Sequence, residues 1–532
     1  MTRAFDFSRR SLLGGVAGLG AGALLGTRSA RAAPVRGGRL VYGRYADSQF
    51  LDPVLNDANV DIWVFTNLYD TLLQPTRDGT GVQPGLATAW EWGPGNRSLT
   101  LRLREGVKFA DGSPLTVDDV VWSLDRARNE GPWRSLIGSI DRVEGGNGQV
   151  TIQLKQPDAT LLAALATFNT GILPKRLFEA AAGATSEAKA QAFAEHPIGT
   201  GPFVMTEWRR GQYMILRKNP HYWRPGEDGQ PLPYVDELRF EIIPDDATRL
   251  LKLRAGEIDG TEFVPYARVA ELQADQQMRM ELWPSTRVRY LGFSCRPEYR
   301  GARNPLADPK VRQALNYAVN KDAVIAITTR GLGRPTRSFM SSTTPMFHGP
   351  APLYAFDQAR ARALLAEAGF ANGFELTILA LSGNQDDLND TTTVQQMWAP
   401  LNVRLNIEQV DSATRTARYR ARDYQMRTAA WTNDISDPSQ ITSYFAYSPN
   451  IDNLYSGWKD ERVDQLYVES GRETDVARRT AIFREIQERY SAAAPILFLY
   501  ETPYPVAWRR NAEGFVQIPL GNNLFEAAYV RR

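Results

Sequence analysis

Between residues 98 and 128 the chain changes hydrophobic period, and that change restricts the folds open to it. The run SLTLRLREGVKF (98–109) alternates apolar and polar residues, so Leu99, Leu101 and Leu103 share one face of a half-buried strand. It breaks at the turn Asp111-Gly112-Ser113-Pro114. Thr116 is then placed to cap a helix running DVVWSLDRAR, with Asp119 at its third position as a capping-box variant. A second alternating strand, QVTIQLKQP, follows at 149–157. Neither kind of element hides its apolar face alone, so helices must pack on sheets in an α/β arrangement.

The same alternation of element types continues. GRLVY (38–42) is strand-like, and residues 67–73 have helical or mixed apolar spacing. The turn cluster at 196–202 introduces FVMTEWRRG and QYMILRKN, which predict a hairpin. Residues 238–260 pass from strand to a helix that stops at Gly256. The run VRQALNYAVNKDAVIAI reads as helical, and DQARARALLAEAGF as a short amphipathic helix ended by Gly369. Strand-like GFELTILAL and VRLNIEQVD flank a polar stretch of Asp, Asn and Thr and a short apolar segment around Trp398, in the order of an α/β unit. No repeat of fixed period runs through the chain. At 532 residues it needs two or three domains, or two lobes with insertions.

The N-terminus carries an address. Arg9 and Arg10 precede the apolar run LLGGVAGLGAGALLG, which ends near the small-residue site Ala30-Arg31-Ala32. This order predicts a twin-arginine signal peptide over 1–32, cleaved near Ala32, and export to a periplasm. The run is too short and glycine-rich to predict a spanning helix. Removing five arginines and one aspartate with the leader from 62 basic and 60 acidic residues leaves 57 against 59. That balance gives no electrostatic reason to expect nucleic acid as a partner. The lone Cys295 excludes an intramolecular disulfide.

Several long segments resemble one family, the extracellular solute-binding proteins of the oligopeptide, dipeptide and nickel type that serve ABC importers. PGLATAWEW followed by LTLRLREGVKFADGSPLTVDDVVWSLDRA is similar to its most distinctive segment. PIGTGPFVMTEWRRGQYMILRKNPHYW, LRAGEIDG, DPKVRQALNYAVNKDAV and ARALLAEAGFANGFEL continue the likeness in family order. One departure is Ala110, where the family often has histidine. The resemblance implies two α/β lobes joined by a hinge, with an extra subdomain inserted in the first. By landmark, lobe one would comprise 34–80, 196–283 and 500–532, the insertion 81–195, and lobe two 284–499. It also implies partners: a peptide-like small molecule, transmembrane permease subunits and ATPase subunits, with the binding protein itself a monomer.

The implied site lies between the lobes. In peptide-binding members an aspartate receives the ligand ammonium, and WTNDISDP (431–438) resembles that segment. Asp434 takes that role and Trp431 becomes an apolar wall, while Asp437, directly before Pro438, reads as a turn former. Asp57, Ala58 and Asn59 align with ligand-touching positions of lobe one, and Trp133 falls where an aromatic contact is expected. For a ligand carboxylate, some members use an arginine six residues before the aspartate; here that position is Thr428, with Arg427 beside it as a candidate. Arg415, Arg418 and Arg420 are further cations in the same region. A non-peptide solute, such as an opine, a glutathione-like compound or an oligosaccharide, is the alternative ligand class.

The rival from another class is an exported hydrolase. The chain has one cysteine, only His196, His221 and His348, and neither G-x-S-x-G nor H-E-x-x-H. No catalytic residue, cofactor or metal site is therefore expected.

Overall fold

The computed structural model describes residues 33–56, 58–349, 354–450 and 454–531. The twin-arginine leader and Asp57 lie outside the described residues. Among those described, the strands form three larger sheets. The first, of seven strands, runs in the order Met278–Trp283, Tyr504–Arg509, Gly260–Thr261, Arg39–Arg44, Glu237–Ile242, Tyr213–Lys218 and Phe203–Arg209. The second has six: Arg334–Pro335, Ile496–Glu501, Val288–Phe293, Met426–Trp431, Phe374–Leu381 and Val403–Val410. A four-stranded antiparallel sheet joins Ala87–Trp92, Ser98–Leu103, Gln149–Leu154 and Ile140–Gly146. Each is covered by helices and has its own apolar core.

Where local chemistry is strong, the elements follow it. Leu99 and Leu101 are fully buried in the four-stranded sheet. Both halves of the predicted capping box form: Asp119 N donates to Thr116 Oγ1 at 3.2 Å, and Thr116 N donates to Asp119 Oδ2 at 2.9 Å. The helix Asp246–Ala255 ends at Gly256, whose φ is 77°. That left-handed conformation is what calls for glycine; a Cβ would also meet the flexible end of the Arg509 side chain. The hairpin forms as predicted.

Three segments differ from their reading. The helical run after 309 is two helices, Pro309–Tyr317 and Lys321–Thr328, because Asn320 caps the second with its side chain. Residues 67–73 straddle a boundary: the helix Asn59–Leu68 stops and the strand Leu73–Pro75 follows. The polar stretch before Trp398 is a single helix, Gln385–Trp398, capped by Asn384. It is the crossover that parallel pairing of Phe374–Leu381 with Val403–Val410 requires.

The chain passes between the two large sheets twice, at residues 284–287 and 502–503, and the two crossings lie side by side. The Ser285 hydroxyl donates to the Thr502 carbonyl, and Thr343 Oγ1 donates to the Ser285 carbonyl at 2.6 Å. Paired crossings of this kind let two bodies close about one axis. The four-stranded layer is fixed to the first body by a buried ion pair, Arg126 to Asp52, at 2.9 and 3.2 Å. It also reaches the second body: Ala159 N donates to the Gly471 carbonyl at 2.9 Å, and Asn96 Nδ2 to Thr474 Oγ1 at 3.1 Å.

Two substitutions test this framework. Arg126→Ala leaves the buried Asp52 side chain without its cation and is expected to destabilise by about 3 to 5 kcal/mol. Thr116→Ala removes half of a capping box and is expected to cost about 1 kcal/mol. Calorimetric unfolding should show a clearly larger fall in Tm for the first.

Candidate functional site: an interlobe cleft with an unpaired carboxylate

The strand Met426–Trp431 lies inside the six-stranded sheet, flanked by Val288–Phe293 and Phe374–Leu381. Beyond it the chain turns at the hinge and enters the helix Pro438–Phe445. The turn is pinned on the crossing side, where Asn433 N donates to Thr286 Oγ1 at 2.9 Å and Asn433 Nδ2 to Thr344 Oγ1 at 3.1 Å. Trp431 Nε1 donates to Asn433 Oδ1 at 3.0 Å, and its ring packs 4.6 Å from that of Tyr444.

The two aspartates of this turn have different surroundings. Asp437 caps the following helix by accepting from Ser439 N at 2.8 Å. It is also buried against Arg479, which donates to both its oxygens at 2.6 and 2.9 Å. Asp434 is half-buried and has no ion-pair partner among the described residues. Its contacts come from the neutral side chain of Gln440: Asp434 N donates to Gln440 Oε1 at 2.9 Å, and Gln440 Nε2 donates to Asp434 Oδ2 at 2.7 Å. Burial pushes the Asp434 carboxyl up to about 6, opposed by that amide hydrogen bond. Asp70 is also pushed up to about 6 by burial, yet it accepts from Trp223, Thr200 and Gln74 inside the first body. Asp434 is the less satisfied carboxylate.

Gln440 and Tyr444 line a cavity of about 640 Å³ between the second body and the four-stranded layer. Trp133, Leu136 and Thr160 form part of the opposite wall. Trp133 is held by its Nε1, which donates to the Asn56 carbonyl at 3.0 Å. The Asn56 side chain in turn accepts from Ala58 N at 2.6 Å, so the Ala58–Asn59 turn and Trp133 are tied to one place. Asn59 is exposed at the start of its helix. At the hinge end, Trp63, Phe263, Tyr45 and Tyr504 form an aromatic group with centroids 5.1 to 6.1 Å apart. Tyr504 Oη donates to Thr432 Oγ1 at 3.5 Å across the crossing.

Thus Asp434, Trp431, Trp133 and Ala58 belong to connected surroundings, whereas Arg427 does not join them. Its guanidinium stacks 3.9 Å from the centre of the Tyr419 ring, four residues before Trp431 on the strand. Thr428 points the other way and donates to Asp387. Asp387 and Asp390 share Arg289, which donates to Asp390 Oδ2 at 2.7 Å, while Thr328 and Tyr500 also donate to Asp390 at 2.9 and 3.0 Å. Arg415 approaches Asp387 at 3.6 Å, and Arg418 pairs with Glu408 and Asp423. Gln440 and Tyr504 were not anticipated from the sequence: a neutral amide six residues beyond Asp434 has no periodic signal, and Tyr504 comes from the other lobe.

The electrostatics give a stability test. Between the ordinary aspartate value of 3.8 and about 6, folded Asp434 holds a proton that the unfolded chain has released. The ionised group therefore costs stability at neutral pH, and this cost vanishes as pH falls below about 4. Asp434→Asn in ligand-stripped protein should raise Tm at pH 7, with the gain shrinking toward pH 4. Asp437→Ala, which strands Arg479, should instead lower stability by about 3 to 5 kcal/mol.

Comparison with known proteins bears on this arrangement. The Escherichia coli (strain K12) "Dipeptide-binding protein" is 28% identical over 486 residues, covering 86% of this chain and 88% of that protein. "Heme-binding protein A" of Haemophilus influenzae is 27% identical over 486 residues, covering 86% of each. The structure of the periplasmic binding protein DppA from Helicobacter pylori, in complex with the peptide STSA, superposes with a TM-score of 0.78 at 26% identity, covering 94% of this chain and 99% of that one. The sequence profile of the bacterial extracellular solute-binding proteins, family 5 (middle region), matches residues 81–453, and the chain belongs to that family.

Proposed function

We propose that this protein is the periplasmic substrate-binding component of an ABC importer, which captures a di- or oligopeptide in the interlobe cleft and delivers it to a permease. The observation that carries this reading is Asp434, a carboxylate at the cleft whose described partners are neutral. Such a group is poised for a cation that arrives with the ligand, and a peptide ammonium supplies one. In the reduced dielectric of a closed cleft that pairing is worth more than on a surface. Trp431 and Trp133 serve as apolar walls, with Asp57, Ala58 and Asn59 contributing from lobe one.

The division into lobes follows the same reading: 34–80, 196–283 and 500–532 form lobe one, 81–195 its insertion, and 284–499 lobe two. One crossing, 284–287, opens the last of these, and the other, 502–503, follows it. Residues 1–32 direct export by the twin-arginine route, and the mature protein works as a monomer beside transmembrane and ATPase subunits. Among the described residues no helix is long and apolar enough to cross a membrane. A binder of this kind moves no solute by itself, so it depends on those subunits.

Mass spectrometry of the ligand that co-purifies from the periplasm tests the reading. A peptide is expected; a neutral sugar would overturn it, since a sugar has no use for Asp434. Calorimetric titration supplies the residue-level check. Asp434→Asn should weaken peptide binding by about 2 to 5 kcal/mol, roughly 30-fold to several thousand-fold. In the wild type, affinity should hold steady above pH of about 6 and fall roughly tenfold per unit below it, because an ammonium must then displace the Asp434 proton. That fall should be absent in Asp434→Asn.

A further inference from the structure

A zwitterionic ligand brings a carboxylate as well as an ammonium, and the candidates anticipated for it are otherwise engaged. Arg427 has no ion pair among the described residues, but it is packed inside the second body, stacked on Tyr419 and close to Tyr290 and Tyr424; Arg415 approaches Asp387, and Arg418 is paired twice. Arg289 is neutralised by Asp387 and Asp390. Arg287 differs. It occupies the first hinge crossing, one residue before the strand Val288–Phe293, where Val288 pairs with Trp431 on one side and Glu501 on the other. Arg287 N donates to Ser285 Oγ at 3.1 Å, but its guanidinium makes no hydrogen bond or ion pair among the described residues, although the side chain is half-buried. A half-buried cation without a counter-ion carries a desolvation cost that an arriving anion can offset.

Its place in the chain sets it at the hinge end of the cleft, one residue before Val288, which pairs with Trp431, and beside the crossing where Tyr504 meets Thr432. The positive charge of Arg287 reaches the hydroxyls of Tyr45, Tyr266 and Tyr504, three side chains of the first body, easing each down against the burial that raises it. Tyr504 also lies within reach of the negative charge of Asp434. One phenol thus senses both the unpaired anion and the unpaired cation. Asp386, whose charge reaches Tyr266, makes no ion pair with Arg287. Of the other acids nearby, Glu262 is buried beside Arg44 at 3.6 Å and Glu501 pairs with Arg334 at 3.1 Å.

Resting on the reading of Asp434 as the ammonium site, we propose that Arg287 receives the ligand carboxylate, so that the cleft selects a short zwitterion of two or three residues. An extended dipeptide spans at most about 7 Å, a scale on which both ends can lie close to one phenol. Because Arg287 sits on the crossing itself, a carboxylate held there contacts the element about which the lobes move. Such a contact favours the closed state if it forms better when the cleft is shut.

The test is calorimetric titration of ligand-stripped protein with alanyl-alanine, leucyl-leucine and glycyl-lysine, each as the free dipeptide, its C-terminal amide and its N-acetyl form. Wild type should prefer the free acid to the amide by roughly 10- to 100-fold. Arg287→Gln should bind acid and amide equally while still discriminating against the N-acetyl form, and Arg287→Lys should restore part of the preference. Asp434→Asn should show the opposite pattern, losing discrimination at the amino end only. An unchanged Tm for Arg287→Gln would establish that the fold is intact. If Arg287→Gln keeps the full preference for the free acid while Asp434→Asn loses ammonium discrimination, the carboxylate site lies elsewhere and only the present proposal falls. If wild type binds none of these dipeptides, the short-zwitterion proposal falls; the peptide reading falls with it only if tetra- and pentapeptides also fail to bind.

Discussion

Two short crossings of the chain, at 284–287 and 502–503, constrain everything between the sheets. They are joined to each other through Ser285 and Thr502, and to the turn after Met426–Trp431 through Thr286 and Asn433. The turn that presents Asp434 is therefore built onto the hinge. Any change in hinge angle alters the distance from that carboxylate to the walls contributed by Trp133 and the Ala58 turn, while its contact with Gln440 stays within one lobe. A binding site arranged in this way reports closure through its opposite wall.

Electrostatic satisfaction separates groups that look alike. Asp434 and Asp437 are three residues apart and chemically identical, yet one is matched by a buried guanidinium and the other by a neutral amide. The same contrast separates Arg289, on the strand, from Arg287, two residues earlier in the crossing. Arg289 has two carboxylates of its own, and Arg287 has none among the described residues. Burying an unmatched charge works against folding, so natural chains match such groups. Asp434 and Arg287 depart from that rule among the described residues, which is why both enter the proposed ligand contacts.

Much of the fold was legible wherever one residue fixed local geometry. The Thr116 and Asp119 box, the glycine stop at Gly256 and the hairpin after Pro202 each follow from short-range chemistry. The helix Gln385–Trp398 was less legible, because its Asp, Asn and Thr residues read as loop-forming; tertiary burial of Asp387, Asp390, Thr391 and Val394 turns that composition inward. Of the candidate site, Asp434, Trp431 and Trp133 are named by the likeness to a family, and the structure sets them in connected surroundings, while their roles belong to the proposed function. Gln440, Tyr504 and Arg287 are not so named, since their relevance arises from partners far along the chain or from the lack of any. Alternation tells which face a strand residue such as Arg289 occupies, but not whether an acid awaits it there.

The polar cluster around Arg289 has a mechanical meaning. Asp387 and Asp390 come from the helix Gln385–Trp398, Thr328 ends Lys321–Thr328, and Arg289, Thr428 and Tyr500 sit on three adjacent strands. One arginine thus gathers five elements of the second lobe by charge-assisted bonds that cannot be shifted singly without stranding a partner. The lobe behaves as a single stiff part on a pivot. Ordering upon capture is then confined to the pivot and the side chains that face the ligand, which keeps the entropy lost on binding small and leaves more of the contact energy to appear as affinity.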